Sequence, residues 1–88
     1  MYYIAVYDVN QKRVARMLKL LRKYLNWIQN SVFEGELTGA QMEEMLVHAK
    51  EIMDTDEDSL IIFEMTTNKY LDKKIIGKDK GDLTSNFV

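Results

Sequence analysis

The chain has 88 residues, of which 47% are hydrophobic and 30% charged, and its formal net charge at pH 7 is −2. This length predicts one small domain that buries only about 60–65% of the surface its unfolded chain exposes. The absence of cysteine excludes a disulfide framework and a thiolate metal site, and no apolar run approaches membrane-spanning length. Because no charged leader precedes an apolar core at the N-terminus, we expect a soluble, cytoplasmic protein with no membrane partner.

The apolar content is large for a domain of this size. Six methionines and nine aromatic residues (five Tyr, three Phe and one Trp) supply more hydrophobic surface than one thin core can bury. Such a surplus is typical of chains that associate with a copy of themselves. We therefore expect a homodimer.

The first strand is predicted at the N-terminus, where aromatic and β-branched residues run from Tyr2 to Asp8. The run is almost continuously apolar, which fits a central strand covered on both faces or flanked by others. Asp8 ends it with a carboxylate, and strand ends are where chemistry commonly gathers in sheets packed with helices. Asp8 is the first functional candidate, and its alternative role is a helix-entry cap or turn acceptor.

A basic helix is predicted next, because apolar residues recur with helical spacing at Val14, Leu18, Leu21 and Leu25. Residues 11–24 contain six basic residues and no acid. On a helical wheel, the basic residues opposite the apolar stripe are Lys12, Arg16, Lys19 and Lys23, and those beside the stripe are Arg13 and Arg22. The face is either a phosphate-contacting surface or a solvated helix face, although solvated faces usually mix charges of both signs.

Two short strands are predicted between residues 25 and 38. The first covers about Trp27–Gln29, the chain turns tightly at Asn30, and the second covers about Ser31–Leu37. Gly35 within the second strand indicates a bulge or a close approach of two backbones.

A second helix is predicted to begin at Thr38, which forms a capping-box pattern with Gln41. Its helical spacing continues to about Asp54, and we expect its acidic outer surface to turn away from nucleic acid. His48 lies on that outer surface, which makes it a surface residue rather than a catalytic base. The acidic run at residues 54–58 is interpreted as a solubilising turn, because no glycine stands where a calcium loop requires one.

A strongly apolar strand, Ser59–Met65, completes the core. Residues 73–77 and 83–88 are candidates for further extended segments. The fold class is therefore α+β, a ferredoxin-like βαββαβ arrangement in a single domain of residues 1–88 with an extra C-terminal strand. The tail from about residue 78 is expected to pair with a partner subunit.

Two helices can cover only one face of the predicted sheet. A second copy packed sheet to sheet would cover the other face, and this homodimer would bring two Asp8 side chains together. Two facing carboxylates repel each other unless a proton or cation lies between them. Ligation by oxygen alone suits Mg²⁺, with Mn²⁺ as an alternative, and such an ion polarises phosphodiesters and activates water.

Several of these segments resemble one protein family. The segments are Tyr3-Ile4-Ala5-Val6-Tyr7-Asp8-Val9, the Lys12-Arg13-Val14 start of the basic helix, residues 28–38 with the sequence Ile-Gln-Asn-Ser-Val-Phe-Glu-Gly-Glu-Leu-Thr, and the tail Asp82–Val88. Together they resemble the Cas-two family of CRISPR-associated proteins, which partners the CRISPR integrase. Trp27 departs from the pattern, since some nuclease-competent relatives carry a basic residue there.

The resemblance implies a ferredoxin-like homodimer that acts in spacer acquisition as the adaptor of an integrase complex and holds duplex DNA. It also implies a metal-dependent endonuclease acting on RNA or DNA, with single-stranded RNA as a substrate. By motif position Asp8 would be the metal ligand, and the other residues of the site would be Tyr7, Arg13, Ser31 and Phe33. The alternative roles are core burial for Tyr7, turn formation for Ser31 and packing for Phe33. Nucleic acid would contact Lys12, Arg13, Arg16, Lys19 and Lys23.

Three classes of function remain open at this point. The first is a nucleic-acid-bridging adaptor, and the second is a stand-alone metal-dependent endoribonuclease of toxin type. The third is a small-molecule regulatory domain, a common use of ferredoxin-like dimers. It offers no reason for six basic residues without an acid in residues 11–24.

Overall fold

A computed structural model describes residues 1–66 and residue 76. Its elements follow the predicted order of strands and helices: β1 (Tyr2–Asp8), α1 (Gln11–Tyr24), β2 (Asn26–Gln29), β3 (Val32–Glu36), α2 (Gly39–Ile52) and β4 (Ser59–Met65). The α+β class and the βαββαβ order are thus confirmed. The predicted C-terminal strand and the partner-pairing tail lie outside the described residues.

The sheet has the strand order β2-β3-β1-β4, and every neighbouring pair is antiparallel. Strand β1 lies between β3 and β4, as expected for the central strand. It pairs with β4 along its whole length, from Tyr2 opposite Met65 to Asp8 opposite Ser59. The backbone at Asp8 is therefore held by the first residue of β4.

Both helices pack on one face of the sheet and form a single core with it. Along β1 the side chains of Tyr3, Ala5 and Tyr7 are buried in this core, while the residues between them are only half-buried. The apolar run of β1 therefore alternates in burial within one chain, and of the two alternatives given for it the strand flanked by others is confirmed. The fully buried large side chains are Phe33, Met17, Leu21 and Met45.

The two helices begin with different caps. At α1 the Asn10 side chain accepts a hydrogen bond from the backbone N–H of Lys12 at 3.0 Å. At α2 the predicted capping box is present, with the Gln41 N–H donating to Thr38 Oγ1 at 3.1 Å and the Thr38 N–H donating to Gln41 Oε1 at 2.9 Å. Both caps satisfy backbone donors that the first helical turn leaves unpaired.

The hairpin of β2 and β3 turns at Asn30, whose positive φ of 44° is a conformation that asparagine tolerates better than most residues. The register shifts between Trp27 and Gln29, so the irregularity lies in β2 rather than at Gly35. Gly35 instead allows a close approach, since a Cβ there would lie 3.1 Å from Leu25 Cδ2. The nearest backbone atom, Leu25 Cα, would lie at 3.6 Å, so the tight contact at Gly35 is with a side chain rather than with a second backbone as predicted.

Within the described part of the chain, no helix covers the opposite face of the sheet, which we call the open face. It carries the half-buried side chains of Ile4 and Val6 from β1, and Ile61 and Phe63 from β4 are 51% and 53% exposed. Tyr2 lies on the same face, where burial and then the neighbouring Glu34 raise the pKa of its hydroxyl to about 12. The open face is therefore largely apolar.

Phe33 supplies a test of the core. Replacing this fully buried ring with alanine should lower the free energy of unfolding by about 3–5 kcal/mol through lost burial and a residual cavity. Urea denaturation at one fixed protein concentration measures the change. Val47→Ala, at a half-exposed position on α2, is the control and should change stability by less than about 0.5 kcal/mol. A similar small change in Phe33→Ala would contradict this description of the core.

Candidate functional site

Asp8 stands at the end of β1 with its side chain exposed. The alternation of the strand directs it to the open face, the same face as Ile4 and Val6. Its carboxylate forms no hydrogen bond or ion pair with any residue in the described ranges. Since Asn10 caps α1, the alternative role of Asp8 as the helix-entry cap is wrong, and no residue of the described part occupies its carboxylate oxygens.

The β2–β3 turn is fastened to the same end of the sheet. The Tyr7 backbone N–H donates to the Ser31 carbonyl at 3.1 Å, and the Tyr7 hydroxyl donates to the Asn30 carbonyl at 3.2 Å. The Trp27 indole N–H donates to the same Asn30 carbonyl at 3.0 Å. These bonds hold the turn beside the strand end that carries Asp8.

Tyr7 and Phe33 lie inside the core rather than beside the Asp8 carboxylate. Their ring centroids are 6.2 Å apart with the planes tilted by 43°, and both residues are buried. Burial also raises the pKa of the Tyr7 hydroxyl. The arrangement fits the packing alternative for both residues, and Ser31 contributes its carbonyl to the turn, as the turn-forming alternative expects.

Arg13 differs from the other basic residues of α1 because carboxylates hold its guanidinium. Nε donates to Asp58 Oδ2 at 2.7 Å and Nη2 donates to Asp58 Oδ1 at 3.1 Å, while Nη2 also contacts Glu57 Oε2 at 2.7 Å. Asp58 is buried and accepts two backbone N–H bonds as well, from Asn10 and Asp54, each at 2.9 Å. The hydrogen bond from Arg13 is the main reason why the pKa of Asp58 lies far below its usual range.

The acidic segment 54–58 is thus more than the solubilising turn predicted for it. Its last residue, Asp58, connects the loop before β4 to the start of α1 through three hydrogen bonds, and a fourth bond closes the loop onto Asp54. The sequence carried only a weak signal for this role, an acid directly before an apolar strand. The pairing itself spans 45 residues of chain, and no local pattern reports such a contact.

The remaining cations of α1 form an exposed basic strip. None of them makes an ion pair with a described residue, in contrast to Arg13. The members of the strip are Lys12, Arg16, Lys19, Arg22 and Lys23. Arg22 belongs to this strip although the helical wheel set it beside the apolar stripe. Unpaired cations along one helix are suited to contact phosphates.

A cleft of about 600 Å³ separates the basic strip from α2. Arg16, Lys19 and Lys23 line one side of it, and Glu44 and Glu51 line the other. Part of the acidic surface of α2 therefore lies across this cleft from the basic strip, and the expectation that this surface turns away from nucleic acid stays a prediction. Glu44 and Glu51 weaken the attraction of this side of the strip for a polyanion, so the outer side of α1 offers the better contact surface.

His48 also borders this cleft and is exposed, with Nδ1 3.7 Å from Glu51 Oε2. Its position agrees with the prediction of a surface residue. Among residues 1–66 and 76, no group of three or more His, Asp or Glu side chains could hold a metal ion. At the tip of β1 one chain offers the carboxylate of Asp8, which fits an ion held mostly by water and phosphate, or shared with a second copy.

These features define a ferredoxin-like α+β protein with an exposed carboxylate at the tip of its central strand and a basic first helix. The model of the family described as CRISPR associated protein Cas2 matches residues 1–73. The chain belongs to this family, which confirms the resemblance drawn from its motifs. No helix in the described ranges is long and apolar enough to cross a bilayer.

Relatives and solved structures agree with this assignment. The chain is 49% identical over 80 residues to a Dictyoglomus turgidum protein named CRISPR-associated endoribonuclease Cas2, covering 91% of this chain and 92% of the relative. A Methanosarcina acetivorans protein of the same name is 42% identical over 88 residues, the full length of both chains. Among solved structures, one described as the crystal structure of cas2 matches with a TM-score of 0.83 and 50% identity, covering 91% of this chain and 90% of that chain. Streptococcus pyogenes Cas2 at pH 6.5 matches with a TM-score of 0.78 and 29% identity, covering 88% and 100%.

The different environments of Asp8 and Asn10 can be tested by stability. Asn10→Ala should lower the free energy of unfolding by about 1 kcal/mol, because the helix loses its cap. Asp8→Asn should change it by less than about 0.5 kcal/mol, because the carboxylate is exposed and has no partner among the described residues. Urea denaturation of both variants measures the difference. The reverse order would contradict the assignment of Asn10 as the cap.

Proposed function

We propose that this Cas2 family member is a dimeric nucleic-acid-binding protein of a CRISPR system that cleaves RNA through a site containing Asp8. The observation that carries the proposal is the exposed Asp8 carboxylate at the tip of the central strand, which has no partner among residues 1–66 and 76. The relatives named CRISPR-associated endoribonuclease Cas2 support the choice of reaction and substrate.

The open face supports a homodimer packed sheet to sheet. Ile61 and Phe63 are about half exposed there, and apolar surface of this kind is usually covered by a partner. A two-fold axis presents the same surface of each copy to the other, so both Asp8 residues would lie on the faces that meet. The dimer would thus supply two carboxylates where one chain supplies one.

The site fits Mg²⁺, or Mn²⁺ in its place, held by Asp8 from each copy together with water. When bound, the ion would polarise a phosphodiester and lower the pKa of a water molecule. The protein's own contribution is to fix the Asp8 backbone through its pairing with Ser59 and to hold the adjacent β2–β3 turn. The basic strip would bind the phosphates on either side of the cleaved bond.

A role as the bridging adaptor of the CRISPR integrase in spacer acquisition is the second part of the proposal. The observation that favours it is the basic strip, whose five exposed side chains have no carboxylate partners among the described residues. Two copies related by a dimer axis would present two such strips to one duplex DNA. Contacts to phosphates carry no sequence information, which suits an adaptor for DNA of any sequence.

Cleavage can be tested directly. Asp8→Asn should lower the rate of Mg²⁺-dependent cleavage of single-stranded RNA by about 100-fold or more, because the amide is a poor metal ligand. The matched control is Asp56→Asn, another exposed carboxylate, which should cleave at the wild-type rate. Single-turnover assays on purified protein with Mg²⁺ or Mn²⁺ measure both rates. Cleavage that persists in Asp8→Asn would show that Asp8 is not part of the site.

Binding can be tested by its salt dependence. If Lys12, Arg16, Lys19 and Lys23 of both copies each neutralise one phosphate, about eight phosphates are neutralised and the slope of log affinity against log salt should be about −7. Lys19→Gln removes one such cation from each copy and should make the slope shallower by about 2, whereas Lys50→Gln on α2 should leave it unchanged. Fluorescence anisotropy on duplex DNA measures the slopes. A wild-type slope shallower than about −3 would remove α1 from the contact surface.

A further inference from the structure

Arg13 and Asp58 form an ion pair with two hydrogen bonds at the start of α1. Nε and Nη2 of Arg13 donate side by side to the two oxygens of Asp58, at 2.7 and 3.1 Å, which is the paired geometry that makes arginine–carboxylate contacts strong and directional. Asp58 has no exposed side-chain surface, and only 20% of the Arg13 side chain is exposed. The contact is therefore shielded from solvent and salt more than an ordinary surface ion pair is.

The Asp58 carboxylate also holds the short segment that connects the end of β1 to the start of α1. Asp58 Oδ1 accepts the Asn10 backbone N–H at 2.9 Å, and Asn10 is the cap of α1. On the other side of this connection, Asp8 is paired with Ser59, the residue after Asp58. The short segment from Asp8 to Asn10 is thus fastened at both ends to consecutive residues of the loop and β4.

Arg13 has few ways left to contact a substrate. Two of its three guanidinium nitrogens already donate to Asp58 and Glu57, and both carboxylates place negative charge beside it. A phosphate that approached the guanidinium would meet that charge. No other cation of α1 forms an ion pair with a carboxylate of a described residue.

We propose that Arg13 is a positioning residue that acts through Asp58 on the segment carrying Asp8, and that Asp58 is a second positioning residue of the site. This proposal rests on the proposed function for its effect on cleavage, but not for its effect on binding and local structure. Arg13 and Arg16 therefore have different roles, although both are arginines on α1. Arg16 binds nucleic acid, whereas Arg13 holds the loop.

The first test compares the two arginines by affinity. Arg16→Gln should weaken RNA binding and make the salt slope shallower by about 1 for each phosphate that is no longer neutralised. Arg13→Gln should leave both the Kd and the slope at their wild-type values. Fluorescence anisotropy on single-stranded RNA at stepped salt measures both. An increase in Kd and a flattening of the slope in Arg13→Gln that match those in Arg16→Gln would overturn the proposal.

The second test separates positioning from general stability. At a temperature where circular dichroism shows every variant folded, Arg13→Gln and Asp58→Asn should each lower the single-turnover rate at saturating RNA by about 10- to 100-fold, since small displacements of a reacting group are costly. The double variant should be no slower than the worse single variant, because both changes break the same ion pair. Arg13→Lys, which keeps one donor for Asp58, should recover part of the rate and replaces Arg13→Gln if that variant does not fold. Wild-type rates in folded Asp58→Asn, or rate reductions that multiply in the double variant, would contradict the proposal.

Hydrogen exchange distinguishes failure of this proposal from failure of the proposed function. The Asn10 amide should exchange about 10-fold or more faster in Asp58→Asn and in Arg13→Gln, while the buried amides of β1 keep their protection. If the wild-type protein did not cleave RNA, the cleavage proposal would be wrong, and the Asn10 amide and the affinity comparison would still decide the role of Arg13. Unchanged exchange of the Asn10 amide in both variants would overturn it.

Discussion

The structure depends on a sheet that the two described helices, α1 and α2, cover on one side. Because side chains alternate along β1, Tyr3, Ala5 and Tyr7 enter the core under α1 and α2. The same alternation directs the side chain of Asp8 to the opposite face, next to apolar residues that no described helix covers. The free carboxylate and the surface suited to a second copy are therefore on the same face. The packing of the domain therefore places the proposed metal ligand, Asp8, on the face where the second copy is proposed to bind.

The charges of α1 have two separate uses. Arg13 is enclosed by Asp58 and Glu57 and contributes to the structure of the loop. The basic strip has no carboxylate partner within the described ranges and remains available to a polyanion. Across a cleft from Arg16, Lys19 and Lys23, the carboxylates Glu44 and Glu51 of α2 weaken the attraction of that side of the strip for phosphates. Nucleic acid would therefore meet α1 from its outer side.

Local patterns in the sequence predicted the elements well. The capping box at Thr38 and the apolar run Ser59–Met65 are short-range signals, and both elements begin where they were predicted. Interactions between distant segments could not be predicted in this way. The cap at Asn10 was missed because Asp8 and Asn10 are both good capping residues, and their difference arises only from where β1 ends.

The candidate site was predicted only in part, because some of its contacts join segments that are distant in the sequence. Asp8 was identified from its position after an apolar strand, which is a local property. Asp58 was missed because its partners, Asn10 and Arg13, lie 48 and 45 residues away. The environments of Tyr7 and Phe33 depend on the tertiary packing of α1 against the hairpin, so a motif could name the residues but not locate their side chains.

The central claim is that two copies meet through their open faces and bring their Asp8 positions together. The chain has no cysteine, so Asp8→Cys introduces a single thiol for a spin label, and Val47→Cys on the exposed side of α2 does the same on the opposite face of the domain. Pulsed electron resonance then gives the distance between the two labels of each dimer. The account predicts a distance between the labels at position 8 that is much shorter than the distance between those at position 47. A monomer at micromolar concentration, or a dimer with the longer distance at position 8, would contradict it.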